Sequence, residues 1–259
     1  MFITYTRAGR FGNNLIQYFV TKIFQHYLNI HFNNSYKYIF NSSDTIKKYD
    51  DYITVDDDNL DKSIESLSKP KPLEEFKNKH VIFNGYFQNA DFLIKHRQYV
   101  LFIFNTDNED RINEEYLVKD IATFIKNYSP IVKDSDIVVH LRLDDFHDKV
   151  TPVQTIIDIL NQIKNKYSDI YVVVDKIKYL YEVNYINSIC YSHKVNLITN
   201  SMLNDFSFLY HSKNIIISNS TFAWVAAYLG KAEYNWVPTM WYASNARLSK
   251  LNDKTIVYQ

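Results

Sequence analysis

Ile137-Val138-Val139-His140-Leu141-Arg142-Leu143-Asp144-Asp145-Phe146 is an apolar, β-branched run that ends in a histidine, an arginine and two carboxylates. Such a run reads as a strand buried on both faces of a sheet. In an open α/β sheet, ligands bind outside the carboxyl ends of the strands. A guanidinium placed there matches a phosphate through two parallel charge-assisted hydrogen bonds.

The pattern after this strand alternates. The periodicity predicts helices over Val153–Lys166, Lys176–Ser188, Leu203–Tyr210 and Thr221–Leu229, separated by strands over Ile170–Val174, Val195–Ile198 and Asn214–Ser218, with Trp236-Val237-Pro238 as a final buried strand. Alternation of this kind means a parallel sheet with helices on both faces. Upstream, Phe2–Tyr5 reads as a strand, Gly9–Asn14 as a turn, and Leu15 to about Leu28 as a helix. Its Leu15, Tyr18, Phe19, Ile23 and Phe24 fall on one face. The stretch Asn33–Pro72 reads as polar and irregular, Val81–Gln88 as a strand with a polar end, and Glu109–Tyr128 as helical. Pro130 marks the boundary between an N-terminal domain, 1–130, and a C-terminal domain, 131–259.

With 259 residues the chain can bury a core without disulfide or metal support. Formal net charge is zero, so no global field recruits nucleic acid or an anionic membrane, and any phosphate-binding charge must be local. The single cysteine, Cys190, excludes an intrachain disulfide framework and a cysteine-based zinc site, and reads as a half-buried residue on a helix. With no secretory n-region and no apolar run of spanning length, a cytoplasmic protein is expected.

Two further strand ends carry polar groups. Ile217-Ser218-Asn219-Ser220-Thr221 lies where a strand becomes a helix, a position suited to capping and to holding an anion on first-turn amides. Gly9-Arg10-Phe11-Gly12-Asn13-Asn14 opens the first helix. Its spacing fits neither the dinucleotide fingerprint nor the P-loop of nucleotide triphosphatases. Asp56-Asp57-Asp58 has the carboxylates of a metal-binding D-x-D site but reads as a solvated loop face, and Asp175 ends a strand. Trp236 and Trp241 are candidates for stacking on sugar in a catalytically silent nucleotide-sugar or glycan-binding protein. His80, His96, His147, His193 and His211 lack ligand spacing and read as surface or capping residues.

Taken together these segments resemble the fucosyltransferase superfamily, in particular the α-1,2-fucosyltransferases of glycosyltransferase family 11, with similarity to protein O-fucosyltransferases. Gly9–Asn14 with Gln17-Tyr18 resembles the G-x-x-G-N-Q opening, and Gly85-Tyr86-Phe87-Gln88 the G-Y-[FW]-Q element. His140-Leu141-Arg142 with Asp145-Phe146 resembles H-x-R-R-x-D-[YF], and Ile217–Trp224 the I-S-N-S-[ST]-F-S-W block. The chain has Leu143 in place of the second arginine and Val225-Ala226 in place of Trp-Gly.

The resemblance implies an α/β fold of the GT-B type, two Rossmann-like domains with parallel sheets facing a cleft. It implies an inverting, metal-independent transfer from a GDP-sugar, GDP-fucose above all, to a glycan hydroxyl, with no cofactor beyond the donor. It places Arg142 on the donor diphosphate, His140 near the nucleotide, Asn219, Ser220 and Thr221 around phosphate, and Asp205 on guanine. Asn13 lies beside phosphate and acceptor, Asp145 orients Arg142, and Arg10 offers the charge that Leu143 lacks. A general base is unassigned: Asp144 is available, whereas Asn13 can only orient the hydroxyl. Another nucleotide sugar is the alternative donor.

Overall fold

The computed structural model describes residues 2–32, 52–67, 76, 79–107, 110–112, 116–143, 150–163, 165–239, 241 and 246–259. The chain forms two compact units, Met1–Asp120 and Ile121–Gln259, so the division falls ten residues before Pro130. Among the described residues no helix is long and apolar enough to cross a membrane.

The first unit holds strands β1 (Phe2–Tyr5), β2 (His31–Phe32), β3 (Tyr52–Val55) and β4 (His80–Phe83), all parallel in the order β2-β1-β4-β3. Its helices are α1 (Phe11–Leu28), α2 (Leu60–Leu67), α3 (Ala90–Lys95) and α4 (Arg97–Thr106), and α5 (Val118–Asn127) crosses the division between the units. Helix α1 starts four residues earlier than its apolar periodicity suggests. Gly9, at φ +73°, turns the chain so that Asn14 N–H already bonds the Arg10 carbonyl at 3.0 Å. Two further expectations for this unit are corrected. Asn33–Pro72 is not uniformly irregular, because it contains β3 and α2. β3 has only four residues and gains its partners by register with β4, which sequence periodicity does not reveal. The expected helix over Glu109–Tyr128 is confined to α5, since Arg111 and Leu117 bridge in antiparallel fashion before it.

The second unit carries strands β5 (Ile137–Leu141), β6 (Ile170–Val174), β7 (Asn196–Ile198), β8 (Asn214–Ile217), β9 (Tyr234–Pro238) and β10 (Thr255–Tyr258), again all parallel. Between them run α6 (Val153–Ile163), α7 (Leu180–Ser192), α8 (Met202–His211) and α9 (Thr221–Leu229). The sheet order is β10-β9-β8-β5-β6-β7. From the central β5 the chain moves outward through β6 and β7, then returns to β8 and moves the other way. The reversal lies between β5 and β8. This is the arrangement of a dinucleotide-type Rossmann unit, whose ligand crevice lies outside the carboxyl ends of the two strands flanking the reversal.

Every residue of β5 is buried, as its continuous apolar run requires, and Val139, Leu141, Ile156, Leu160, Val172 and Ile216 share one core. Strand β10 was not anticipated. Cys190 is exposed on α7 rather than half-buried, because that helix buries Glu182, Ile186 and Ile189 along a different stripe. His193, expected as a surface or capping residue, is the C-cap of the same helix and is buried.

Candidate active site

The two strands that flank the reversal end in side chains that meet. Ser218, just past β8, places its Oγ 3.3 Å from His140 Nδ1 and accepts the Arg142 backbone N–H at 2.9 Å. Ser218 N–H in turn bonds the His140 carbonyl at 3.2 Å. One hydroxyl thus ties the end of β8 to the turn that carries the guanidinium. On the other side of that turn the Tyr181 hydroxyl, from α7, donates to the Leu143 carbonyl. The backbone around Arg142 is held at both flanks, a preorganisation that costs nothing when a ligand arrives.

His140 is 7% exposed. Burial, with the Arg142 charge adding to it, pulls its pKa down to about 3, so the imidazole is neutral at physiological pH. A neutral ring can bond through one nitrogen to Ser218 and keep the other available for a ligand.

Ser220 caps α9: its Oγ accepts the Ala223 N–H at 3.5 Å, and both Ser220 and Thr221 are buried. These two residues shape the mouth of the helix, whose first-turn amides and dipole favour an anion. Asn219, between the two serines, is half-buried.

Asp205 sits in the first turn of α8, and α8 reaches the same edge of the sheet through a chain of ring contacts. Phe206 meets Phe222 edge-on at 5.3 Å, and Phe222 lies 5.9 Å from the His140 ring. Asp205 Oδ1 is buried with no hydrogen-bond partner among the described residues, while Asn200 bonds the carboxylate. Burial pushes its pKa up to about 6. An orphaned buried acceptor calls for a donor, and a pair of neighbouring N–H groups on a base edge supplies one.

In the first unit, polar groups gather at the carboxyl ends of β1 and β4. Gln17 is fully buried. Its Oε1 accepts from Ala8 N–H at 3.2 Å and from Asn14 Nδ2 at 3.3 Å, and its Nε2 donates to the Gly85 carbonyl at 2.7 Å. Gln88 Nε2 donates to Asn13 Oδ1 at 2.9 Å. The segments Gly9–Asn14 and Gly85–Gln88 are therefore one constellation, although 75 residues separate Asn13 from Gln88. Arg10 is the exposed N-cap residue of α1 and makes no side-chain cap.

Asp144 and Asp145 lie outside the described residues. Leu143 does not stand where a ligand-binding arginine would: it is 2% exposed and packs in the core with Ile156, Leu160 and Val174. In the acidic run Asp58 is exposed, as expected of a solvated face, whereas Asp56 and Asp57 are half-buried and engaged. Asp56 accepts the Asp58 and Asn59 N–H groups at the start of α2, and Asp57 accepts those of Tyr86 and Phe87. Asp175 accepts its neighbour's N–H at 2.7 Å, and Trp236 is a core residue packed edge-on against Tyr167.

Sequence reasoning placed Ser218 in a capping and anion-holding run and Gln88 at a polar strand end, but it foresaw neither the tie from Ser218 to the Arg142 turn nor that from Gln88 to Asn13, and it missed the Asp57 contact. None of these has a local signature, because each acts on backbone or side chains from a distant strand.

No protein-family model matches this sequence, and no curated protein matches it. Among solved structures, a variant of Arabidopsis thaliana FUT1 in complex with GDP is similar over 95% of this chain and 72% of that one, at 12% identity and a TM-score of 0.52. The fold is of the GT-B type. Escherichia coli heptosyltransferase WaaC is also similar: with ADP, over 99% of this chain and 92% of that chain at 11% identity and a TM-score of 0.49; with ADP-2-deoxy-2-fluoro heptose, over 100% and 93% at 12% and 0.47. In GT-B terms, the switch point at β5 and β8 belongs to the C-terminal Rossmann-like unit, and the Asn13–Gln88 constellation to the N-terminal one.

Proposed function

We propose that this chain is an inverting, metal-independent glycosyltransferase that moves L-fucose from GDP-fucose to a glycan hydroxyl, with the C-terminal domain binding the donor and the N-terminal domain engaging the acceptor. The observation that carries the reading is the presence, at the carboxyl edge of one sheet, of the Arg142 turn tied to Ser218 and of the buried Asp205 carboxylate, one of whose oxygens has no hydrogen-bond partner among the described residues. A guanidinium fits a diphosphate, and a carboxylate fits the N1–H and N2–H edge of guanine and rejects adenine, which lacks that pair. FUT1, a fucosyltransferase, shares the fold and was solved with GDP. The four ordered motif matches support fucose as the sugar.

As the anomeric bond stretches, negative charge grows on the departing diphosphate. Arg142 and the amide-rich mouth of α9 stabilise that charge more than the ground state, which lowers the barrier. Neutral His140 and the Asn219, Ser220 and Thr221 segment position the phosphates without adding a competing positive charge. Because Arg142 supplies the cation, and Asp56 and Asp57 bond backbone amides, the scheme calls on no metal-held phosphate. A single in-line attack by the acceptor hydroxyl oxygen forms the new glycosidic bond as the bond to the GDP oxygen breaks on the opposite face, so the anomeric centre inverts, GDP departs and the hydroxyl proton is released to solvent, with Asn13 orienting that hydroxyl.

A thermal-shift panel of GDP, UDP, dTDP and their sugars tests this. GDP and GDP-fucose are expected to stabilise the protein, by about 2.7 kcal/mol at 100 times Kd. Stabilisation by UDP alone would overturn the donor assignment.

A further inference from the structure

The acidic run contains one aspartate whose environment is unlike its neighbours'. Asp57 follows β3 and reaches across to the turn after β4, where its Oδ2 accepts the Tyr86 N–H at 2.8 Å and its Oδ1 the Phe87 N–H at 2.7 Å. Both carboxylate oxygens are engaged by consecutive backbone amides, a two-point grip that fixes the direction of the chain as well as its position. Two features show that the turn is built around this grip. Gly85 leaves the space the carboxylate fills: a Cβ there would lie 2.9 Å from Asp57 Cγ and Oδ2. Phe87 adopts φ +54°, a left-handed conformation that a bulky residue keeps only when its surroundings impose it. Its ring is anchored edge-on against Phe83 at 5.3 Å, so carboxylate and ring grip the same residue from two sides.

The next residue is Gln88, whose amide donates to Asn13 Oδ1 at 2.9 Å. That contact sets the face Asn13 presents, because with its oxygen committed to Gln88 the Asn13 NH₂ group is the end left to meet a ligand oxygen. We infer that Asp57 is a positioning residue for acceptor recognition, acting through the Tyr86–Phe87 turn and Gln88 to fix the orientation of the Asn13 amide. This rests on the transferase reading for its consequence in turnover. The structural coupling from Asp57 to Asn13 stands independently of it.

The experiment uses the full chain. With GDP-fucose as donor and phenyl β-D-galactoside as acceptor probe, Asp57→Asn should lower kcat by roughly tenfold or more, as misorientation of a reacting group does, and leave GDP affinity unchanged. On an Asn13→Ala background the same substitution should cost almost nothing, because the group it positions is gone. An equal loss on both backgrounds would make Asp57 merely structural and overturn the inference, as would full activity of Asp57→Asn. The NMR resonances of the Asn13 and Gln88 side-chain amides are the second readout. They should shift in Asp57→Asn while that of Asn219 does not. Unmoved Asn13 and Gln88 signals would overturn the coupling whatever the turnover. Absence of turnover in the unsubstituted protein, with those signals shifting as expected, would overturn the transferase reading alone.

Discussion

The two strand-end clusters solve different chemical problems with different materials. At β5 and β8 the scaffold is a pair of fully buried strands, and the functional groups are a guanidinium, a neutral imidazole and small hydroxyls fastened to backbone. At β1 and β4 the scaffold is irregular, with left-handed turns at Gly9 and Phe87, and the groups are amides and a carboxylate that hold one another. The first arrangement sets one guanidinium beside helix amides and hydroxyls, which suits a diphosphate whose charge grows during reaction. The second carries directional hydrogen bonds of low net charge, which suit a neutral hydroxyl that must be aimed.

This contrast is broken most directly at Arg142. Arg142→Ala should reduce turnover of GDP-fucose by about 10² to 10³-fold, as loss of a transition-state charge partner does, and weaken GDP binding in calorimetry. Asn13→Ala should reduce turnover without changing GDP affinity. Equal effects of the two substitutions on GDP would mean that the clusters do not divide the work as described.

Leu143→Arg sharpens the same division from the other side. If position 143 faced the ligand, a restored guanidinium would tighten GDP binding. Its place in the core predicts the opposite: a buried charge without a partner, a stability loss of about 3 kcal/mol or more in urea denaturation, and no gain in GDP affinity.

Leu143 also shows where sequence reading stops. The C-terminal unit was legible almost strand by strand, because its β-branched runs are long, apolar throughout and separated by helices of clear period. That alternation was enough to expect a parallel sheet and to place His140, Arg142 and Ser218–Thr221 at strand ends. The position after Arg142 lies beyond the strand, where alternation no longer says which way a side chain points, and only packing against Ile156 and Leu160 decides it. The N-terminal unit was less legible. Strand β3 is four residues between aspartates, too few to carry a pattern that stands out, and the same brevity hid β10 at the end of the C-terminal unit. Asp57 reads as one of three equivalent acids until the turn 29 and 30 residues away comes to meet it.

Acid titration separates two groups within the switch-point cluster. His140 stays neutral down to about 3, whereas in the unfolded chain it takes a proton near 6.5, so its contribution is present above 6.5 and is lost as pH falls. Asp205 holds its proton up to about 6 against 3.8 unfolded, so its contribution is full below 3.8 and is lost as pH rises through 6. Between pH 7 and pH 5 the first effect costs about 2 kcal/mol and the second, screened by solvent, returns about 1 kcal/mol or less. The two oppose each other, and single variants uncouple them. On acidification over that interval, His140→Asn should gain stability relative to the unsubstituted protein and Asp205→Asn should lose it, in urea midpoints taken at both pH values. Identical pH slopes in all three proteins would remove both groups from the buried edge.

The smallest expected effect on stability lies at Gly9. Its φ of +73° disfavours any side chain, and a Cβ would come 2.2 Å from Asn13 Nδ2. Gly9→Ala should cost only about 1 kcal/mol in stability, because the residue is exposed and the turn can yield. The Asn13 amide, however, must move from the position in which it accepts from Gln88. Turnover should therefore fall toward that of Asn13→Ala while GDP binding is retained. Gly9→Ala and Asp57→Asn disturb the same amide from opposite directions, one by crowding it and the other by releasing the turn behind Gln88. Combining them should give no more loss of turnover than the worse of the two alone. An additive loss would mean that the N-terminal cluster contains two independent devices rather than one aimed amide.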